Sequence, residues 1–186
     1  MTEISQPAVP PEIEAGLQAH HAALDAFLRH ADALSARQWE TPRAPGKWTP
    51  AQETAHLALA YAAFAAAMRG GPPLGLRLPE VRALELQRTV LPGILAGKGF
   101  PTGAKAPAES MPPERPGGQA VLLAQLRAAG DAFTEALAEA WSMAPDSRVV
   151  HPYFGPLRLP ELLGLLTAHT QHHAAYLPPI PGPPAG

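Results

Sequence analysis

Proline and glycine divide this chain more sharply than any other feature and so limit what it can fold into. The 24 prolines and 16 glycines among 186 residues crowd into 1–11, 70–79, 92–118 and 178–186. Proline removes a backbone donor and clashes with the preceding helical turn, and glycine is favoured just past a helix end. Regular elements must therefore lie between these stretches, and the apolar residues there recur at helical spacing. A first helix is expected over 11–36, along Ile13, Leu17, Leu24, Phe27, Leu28 and Leu34. A second spans 50–69 and stops at Gly70-Gly71. A third spans 118–141 through Val121, Leu122, Leu126, Phe133, Leu137 and Trp141, and a fourth starts at Pro160 and ends before Pro178-Pro179. Strand signals are confined to 149–155, where Pro152 forbids a central strand.

The connection between the second and third helices, 70–118, is too long to be a structureless loop in a compact domain, but a bundle with a crossover connection accommodates it. The expected fold class is all-α, a four-helix bundle with a long crossover connection between helices two and three. Val81, Leu84, Leu86 and Val90 predict an extra short helix over 79–91. The stretch 92–118 has little to bury and reads as a mobile tether, with a lid over a site as the alternative. A chain of this length needs one core only. The expected domain is 11–177, between a disordered N-terminal tail, 1–10, and a Pro-rich tail, 178–186.

The chemistry concentrates in His169-Thr170-Gln171-His172-His173, after the apolar run Leu162, Leu163, Leu165, Leu166. Four residues advance about one turn, so His169 and His173 point the same way, from a stripe that otherwise reads as core. A single histidine there would be an ordinary hydrogen-bonded core residue. Two imidazoles shielded from water differ, because one divalent cation satisfies both at about 2.0–2.1 Å each. His172 is rotated about 60° from His169 and about 100° from His173, away from the pair.

His56 is the candidate third ligand. Thr49 can cap the second helix, with Pro50 in its first turn and Gln52 closing a capping box. That start sets the phase: Leu57, Tyr61, Phe64 and Met68 form the apolar stripe, and His56 lies on its buried flank. Glu53, one turn before His56, either orients it or a bound water, or is a solvated acid favoured by the helix dipole. Tyr176, one turn beyond His173, can donate to a substrate or close the core. His151 either reaches the metal end or caps a helix. His20, His21 and His30 read as solvated or core histidines.

Taken together, these residues resemble the DinB-like family of metal-binding four-helix bundles. The likeness rests on Trp48, Thr49 and His56, and downstream on His151-Pro152, Gly155-Pro156-Leu157, His169, His172 and His173, so that it spans most of the chain from 12 to 177. It implies a divalent metal held at one end of the bundle by one histidine of the second helix and two of the fourth, here His56, His169 and His173, with His172 not a ligand. Many members carry Gln where this chain has Tyr176. Members include transferases and isomerases that use low-molecular-weight thiols, and hydrolases.

Three neutral nitrogens with an open fourth position resemble catalytic zinc geometry. Zinc is the expected ion, and the same set accepts Ni(II) or Fe(II). Two function classes follow: a metal-dependent enzyme that transfers a small thiol or hydrolyses a small molecule, or a non-enzymatic metal-containing bundle that binds a small molecule or a protein partner. A structural zinc takes four protein ligands, and finding three favours chemistry. The formal charge of −2 and pI near 6.4 give no electrostatic footing for nucleic acid. The absence of cysteine removes disulfides, thiolate ligands and a cysteine nucleophile. Residues 1–7 lack the charged and apolar regions of a signal peptide, and no apolar run is long enough to span a membrane, so a cytoplasmic location is expected. The expected partner is a small-molecule substrate, with a homodimer allowed.

Overall fold

The computed structural model describes residues 11–101, 103 and 105–180. The tail expected over 1–10, and residues 181–186 of the other, lie outside them. The expected first helix divides in two. Helix α1 (Pro11–Asp32) ends at Asp32 rather than at 36, and Ser35 opens a new helix, α2 (Ala36–Glu40). The Ser35 hydroxyl accepts from the Gln38 N–H, while the Gln38 side chain accepts from the Ser35 N–H at 3.0 Å. This reciprocal cap satisfies two backbone donors that a continuous helix would not leave free. The break also delivers Trp39 to the core, where it is buried.

Helix α3 (Pro50–Met68) starts as expected, with Thr49 and Gln52 capping each other at 3.2 and 3.0 Å. It stops at Gly70, whose φ of 81° suits glycine. The connection that follows holds α4 (Glu80–Thr89), α5 (Leu91–Leu95) and a single 3₁₀ turn at Ala108–Ser110. The stretch 92–118 therefore buries more than its sequence promises: Ile94 and Ser110 are enclosed, and Phe100 packs on the core. Helix α6 (Gln119–Met143) runs two residues past its expected end. Strand β1 (Arg148–His151) pairs antiparallel with β2 (Gly155–Arg158), with Val149 opposite Leu157 and His151 opposite Gly155. Pro152 occupies the turn, where its missing N–H costs no ladder bond. Helix α7 (Leu159–Ala174) follows, with the Glu161 carboxylate accepting from the Arg158 N–H at 2.9 Å.

Side-chain ties fix the directions of the four long helices. Arg69, just past α3, bonds Glu139 near the end of α6 at 3.0 Å, so these two run parallel. His30 near the end of α1 bonds the Pro178 carbonyl beyond α7 at 2.8 Å, and Gly16 of α1 faces Leu163 early in α7. That pair is parallel too. Gln119 at the start of α6 donates to the Ala31 carbonyl at the end of α1 at 2.6 Å, so the pairs oppose each other. The bundle runs up, down, down, up, and the crossover from α3 to α6 returns the chain to where α3 began. Phe27, Leu57, Tyr61, Leu126, Phe133 and Leu162 are fully enclosed between the helices. Gly130 lets α6 approach α1, since a Cβ there would strike the Leu24 side chain. Among the described residues no helix is long and apolar enough to cross a membrane.

Candidate metal centre

Because α3 and α7 run antiparallel, the first turns of α3 lie against the last turns of α7. This brings His56, His169 and His173 together. One ring nitrogen from each lies within 4.8 Å of the others. Nε2 of His169 is 3.1 Å from Nε2 of His56 and 3.0 Å from Nε2 of His173. Ligand nitrogens about 2.0–2.1 Å from a tetrahedral zinc stand about 3.3 Å apart, so the two spacings to His169 are close to the one an ion would impose.

The opposite nitrogens explain why the rings face inward. His56 Nδ1 lies 2.7 Å from the Ser110 carbonyl, which can only accept, so Nδ1 carries the proton and Nε2 keeps a lone pair. His173 Nδ1 lies 2.6 Å from the Glu53 carboxyl, and when that group is ionised it can only accept, so the proton is on Nδ1 here too. Two lone pairs thus point at the His169 ring, and its single proton cannot satisfy both. A cation can. The residues present fit a divalent ion on this count as well as on spacing.

Burial keeps the rings in the form a metal requires. It lowers His56, against the pull of the Ser110 carbonyl and Glu53, and holds His169 and His173 well below the ordinary 6.5, helped by the charge each neighbour would carry. Burial pushes Glu53 the other way, up to about 7, opposed by His56, Arg43 and His172. Glu53 is only 3 % exposed and bonds His173. Glu53 is thus not the solvated acid of the second expectation, and the ring it meets is His173 rather than His56.

The cluster opens on a cavity of about 650 Å³. The Trp48 ring lies 4.9 Å from that of His56 and stacks over His173 at 6.3 Å. Phe100 lies 5.7 Å from His169. Helix α7 ends at Ala174, so Tyr176 sits in the following turn instead of one helical turn beyond His173. Its hydroxyl meets His172 Nε2 at 2.9 Å, and the Arg43 guanidinium lies 3.4 Å above its ring. His172 is half-buried and stands outside the three-histidine group.

The remaining histidines separate cleanly. His151 reaches the metal end, lining the same cavity, but stays outside the three-histidine group: its Nδ1 accepts from the N–H groups of Tyr153 and Phe154 at 3.1 and 3.3 Å, closing the turn between β1 and β2. His20 is a core residue bonded to the Thr167 hydroxyl at 3.2 Å, with burial lowering it to about 4. His21 is exposed. Sequence reasoning missed the Ser110 carbonyl and the Phe100 ring, both from 92–118. A main-chain acceptor leaves no signature in residue identity, and one aromatic in a Pro/Gly-rich stretch has no periodicity to betray it.

The chain matches the family model of the DinB superfamily over residues 19–177. No curated protein matches it. Among solved structures it is similar to YfiT from Bacillus subtilis, described as a probable metal-dependent hydrolase with an unusual four-helix bundle topology. The two are 18 % identical, the match covers 93 % of this chain and 88 % of that one, and the TM-score is 0.55, a likeness of fold. With the family model covering most of its length and the bundle agreeing in architecture, the chain belongs to the DinB superfamily.

Proposed function

We propose that this protein is a metal-dependent enzyme acting on a small molecule, by thiol transfer or by hydrolysis, with His56, His169 and His173 as the metal ligands. The observation that carries this reading is the convergence of three neutral ring nitrogens at the wall of a cavity, with no fourth protein ligand among the described residues. When bound, a divalent ion with an open position supplies Lewis acidity that brings a water or thiol toward ionisation near neutral pH. Hydrolysis is also the activity ascribed to YfiT.

The chain's own residues prepare the site. Glu53 and the Ser110 carbonyl hold protons on His173 Nδ1 and His56 Nδ1, which keeps both Nε2 atoms free to coordinate. Trp48 and Phe100 cover the histidine rings and limit water. Tyr176 fixes the His172 ring at the cavity wall. The cavity has room for a small molecule. A screen of zinc-, nickel- and iron-loaded protein against low-molecular-weight thiols with electrophilic acceptors, and against simple amides and esters, tests the proposal. Turnover should appear with at least one metal, vanish on chelation and weaken in Tyr176→Phe. A blank screen together with a crystal structure showing four protein ligands on the ion would favour a non-enzymatic binding bundle.

A further inference from the structure

His151 lines the same cavity as the three histidines and differs from them in its tautomer. Its ring lies parallel to Phe64, 9° between planes at 5.7 Å, and packs on Phe154 at 5.0 Å, so its plane is fixed. Two backbone N–H groups donate to Nδ1. A nitrogen that accepts twice carries no proton, and burial, which lowers the ring to about 3, keeps it neutral. The single proton must then sit on Nε2. His56 and His173 are the reverse case, protonated at Nδ1 and bare at Nε2.

Among the described residues the Nε2–H of His151 meets no acceptor. The ring is half-buried and lines the cavity, so this N–H is open to it and an acceptor oxygen of a bound molecule can reach it. Coordination through the same nitrogen would require the ring to surrender its only proton, which sets His151 apart from the cluster chemically as well as in space. It nonetheless lies close enough to His169 for a charge on one ring to disfavour a charge on the other.

We infer that His151 is a ligand-binding residue whose Nε2–H donates to a carbonyl or carboxylate oxygen of a molecule held in the cavity, and that it is not a metal ligand. This rests on the reading of the cavity as the substrate site. It gives that site one preformed donor, placed by a turn instead of a flexible side chain, and it selects substrates bearing an acceptor oxygen.

The experiment uses nitrogen-15-labelled full-length protein, metal-free and zinc-loaded, with acetate as the probe. Long-range proton–nitrogen spectra should show His151 protonated at Nε2 in both forms from pH 5 to 8, and acetate should shift that resonance. His151→Asn puts an amide oxygen where Nδ1 stood, so it keeps the turn but loses the cavity donor. It should retain the zinc content and melting temperature of the parent while binding acetate roughly tenfold or more weakly. His151→Gln, which can return an amide N–H near the Nε2 position, should recover part of the affinity. A proton on Nδ1, loss of zinc in His151→Asn, or unchanged acetate affinity in that variant would each overturn the inference. Failure of zinc uptake by the parent would instead count against the proposed metal centre, since the tautomer and the acetate shift are also read without metal.

Discussion

Glu53 and Ser110 perform the same task for two neighbouring rings by different means. Glu53 binds His173 Nδ1 through a carboxylate, whereas Ser110 binds His56 Nδ1 through a main-chain carbonyl. The difference predicts opposite sensitivities to substitution. Glu53→Gln keeps an acceptor but loses the charge that strengthens the His173 ligand, and metal affinity should fall by about 10–100-fold. Ser110→Ala removes a hydroxyl that reaches only the Pro107 carbonyl at 3.3 Å, and affinity should barely change. Competition with a chromophoric chelator measures both; equal losses would mean that the hydroxyl, not the carbonyl, supports His56. The histidines were the legible part of the site because ring identity and spacing are written in sequence. Their partners were not: Glu53 was visible but its choice of His173 depends on how α3 crosses α7, and the Ser110 carbonyl belongs to every residue type equally.

Helix starts were readable where a side chain caps the backbone. Thr49, Pro50 and Gln52 announce α3, and the same chemistry at Ser35 and Gln38, read through as helix, divides α1 from α2. The ribbon of β1 and β2 was harder, since its strands are short and one contains Pro156. The α3 cap also matters to function, because it sets the phase that places Glu53 and His56 on the buried face. Thr49→Ala should cost about 1 kcal/mol of stability in thermal or denaturant unfolding. It should also weaken metal binding in parallel, as the first turn carries Glu53. Destabilisation with unchanged metal affinity would show that the site holds its own geometry without the cap. The helices α4 and α5 and the 3₁₀ turn were only partly legible, because segments this short draw their order from what they pack against.

For the molecule as a whole, parallel neighbours dictate the long connection. Helix α3 has 19 residues and so spans about 28 Å. The chain must travel back that distance before α6 can run beside it in the same direction, and 92–118 does so while walling the cavity. The four long helices were written in the Pro/Gly spacing, save for the break between α1 and α2; the up-down-down-up order was not, since it arises from contacts between distant faces. Whole-molecule stability should depend on acid through the buried neutral His20, which joins α1 to α7. Unfolded, it takes up a proton near pH 6.5, and folded only near 4. Between those values the unfolded state holds more protons, so stability should fall as pH drops through the window and be indifferent to this group above it. Melting temperatures at pH 7 and pH 4.5 should therefore differ less in His20→Leu than in the parent, and equal differences would remove His20 from the explanation. The three-histidine metal site is put to the test by the metal content of untagged protein, purified without chelator and then offered Zn(II) or Ni(II). The parent and His172→Ala should each carry close to one divalent ion per chain, and His56→Ala, His169→Ala and His173→Ala should lose it. A parent protein that takes up no metal, or a His172→Ala variant that loses it as fully as His173→Ala, would contradict this assignment.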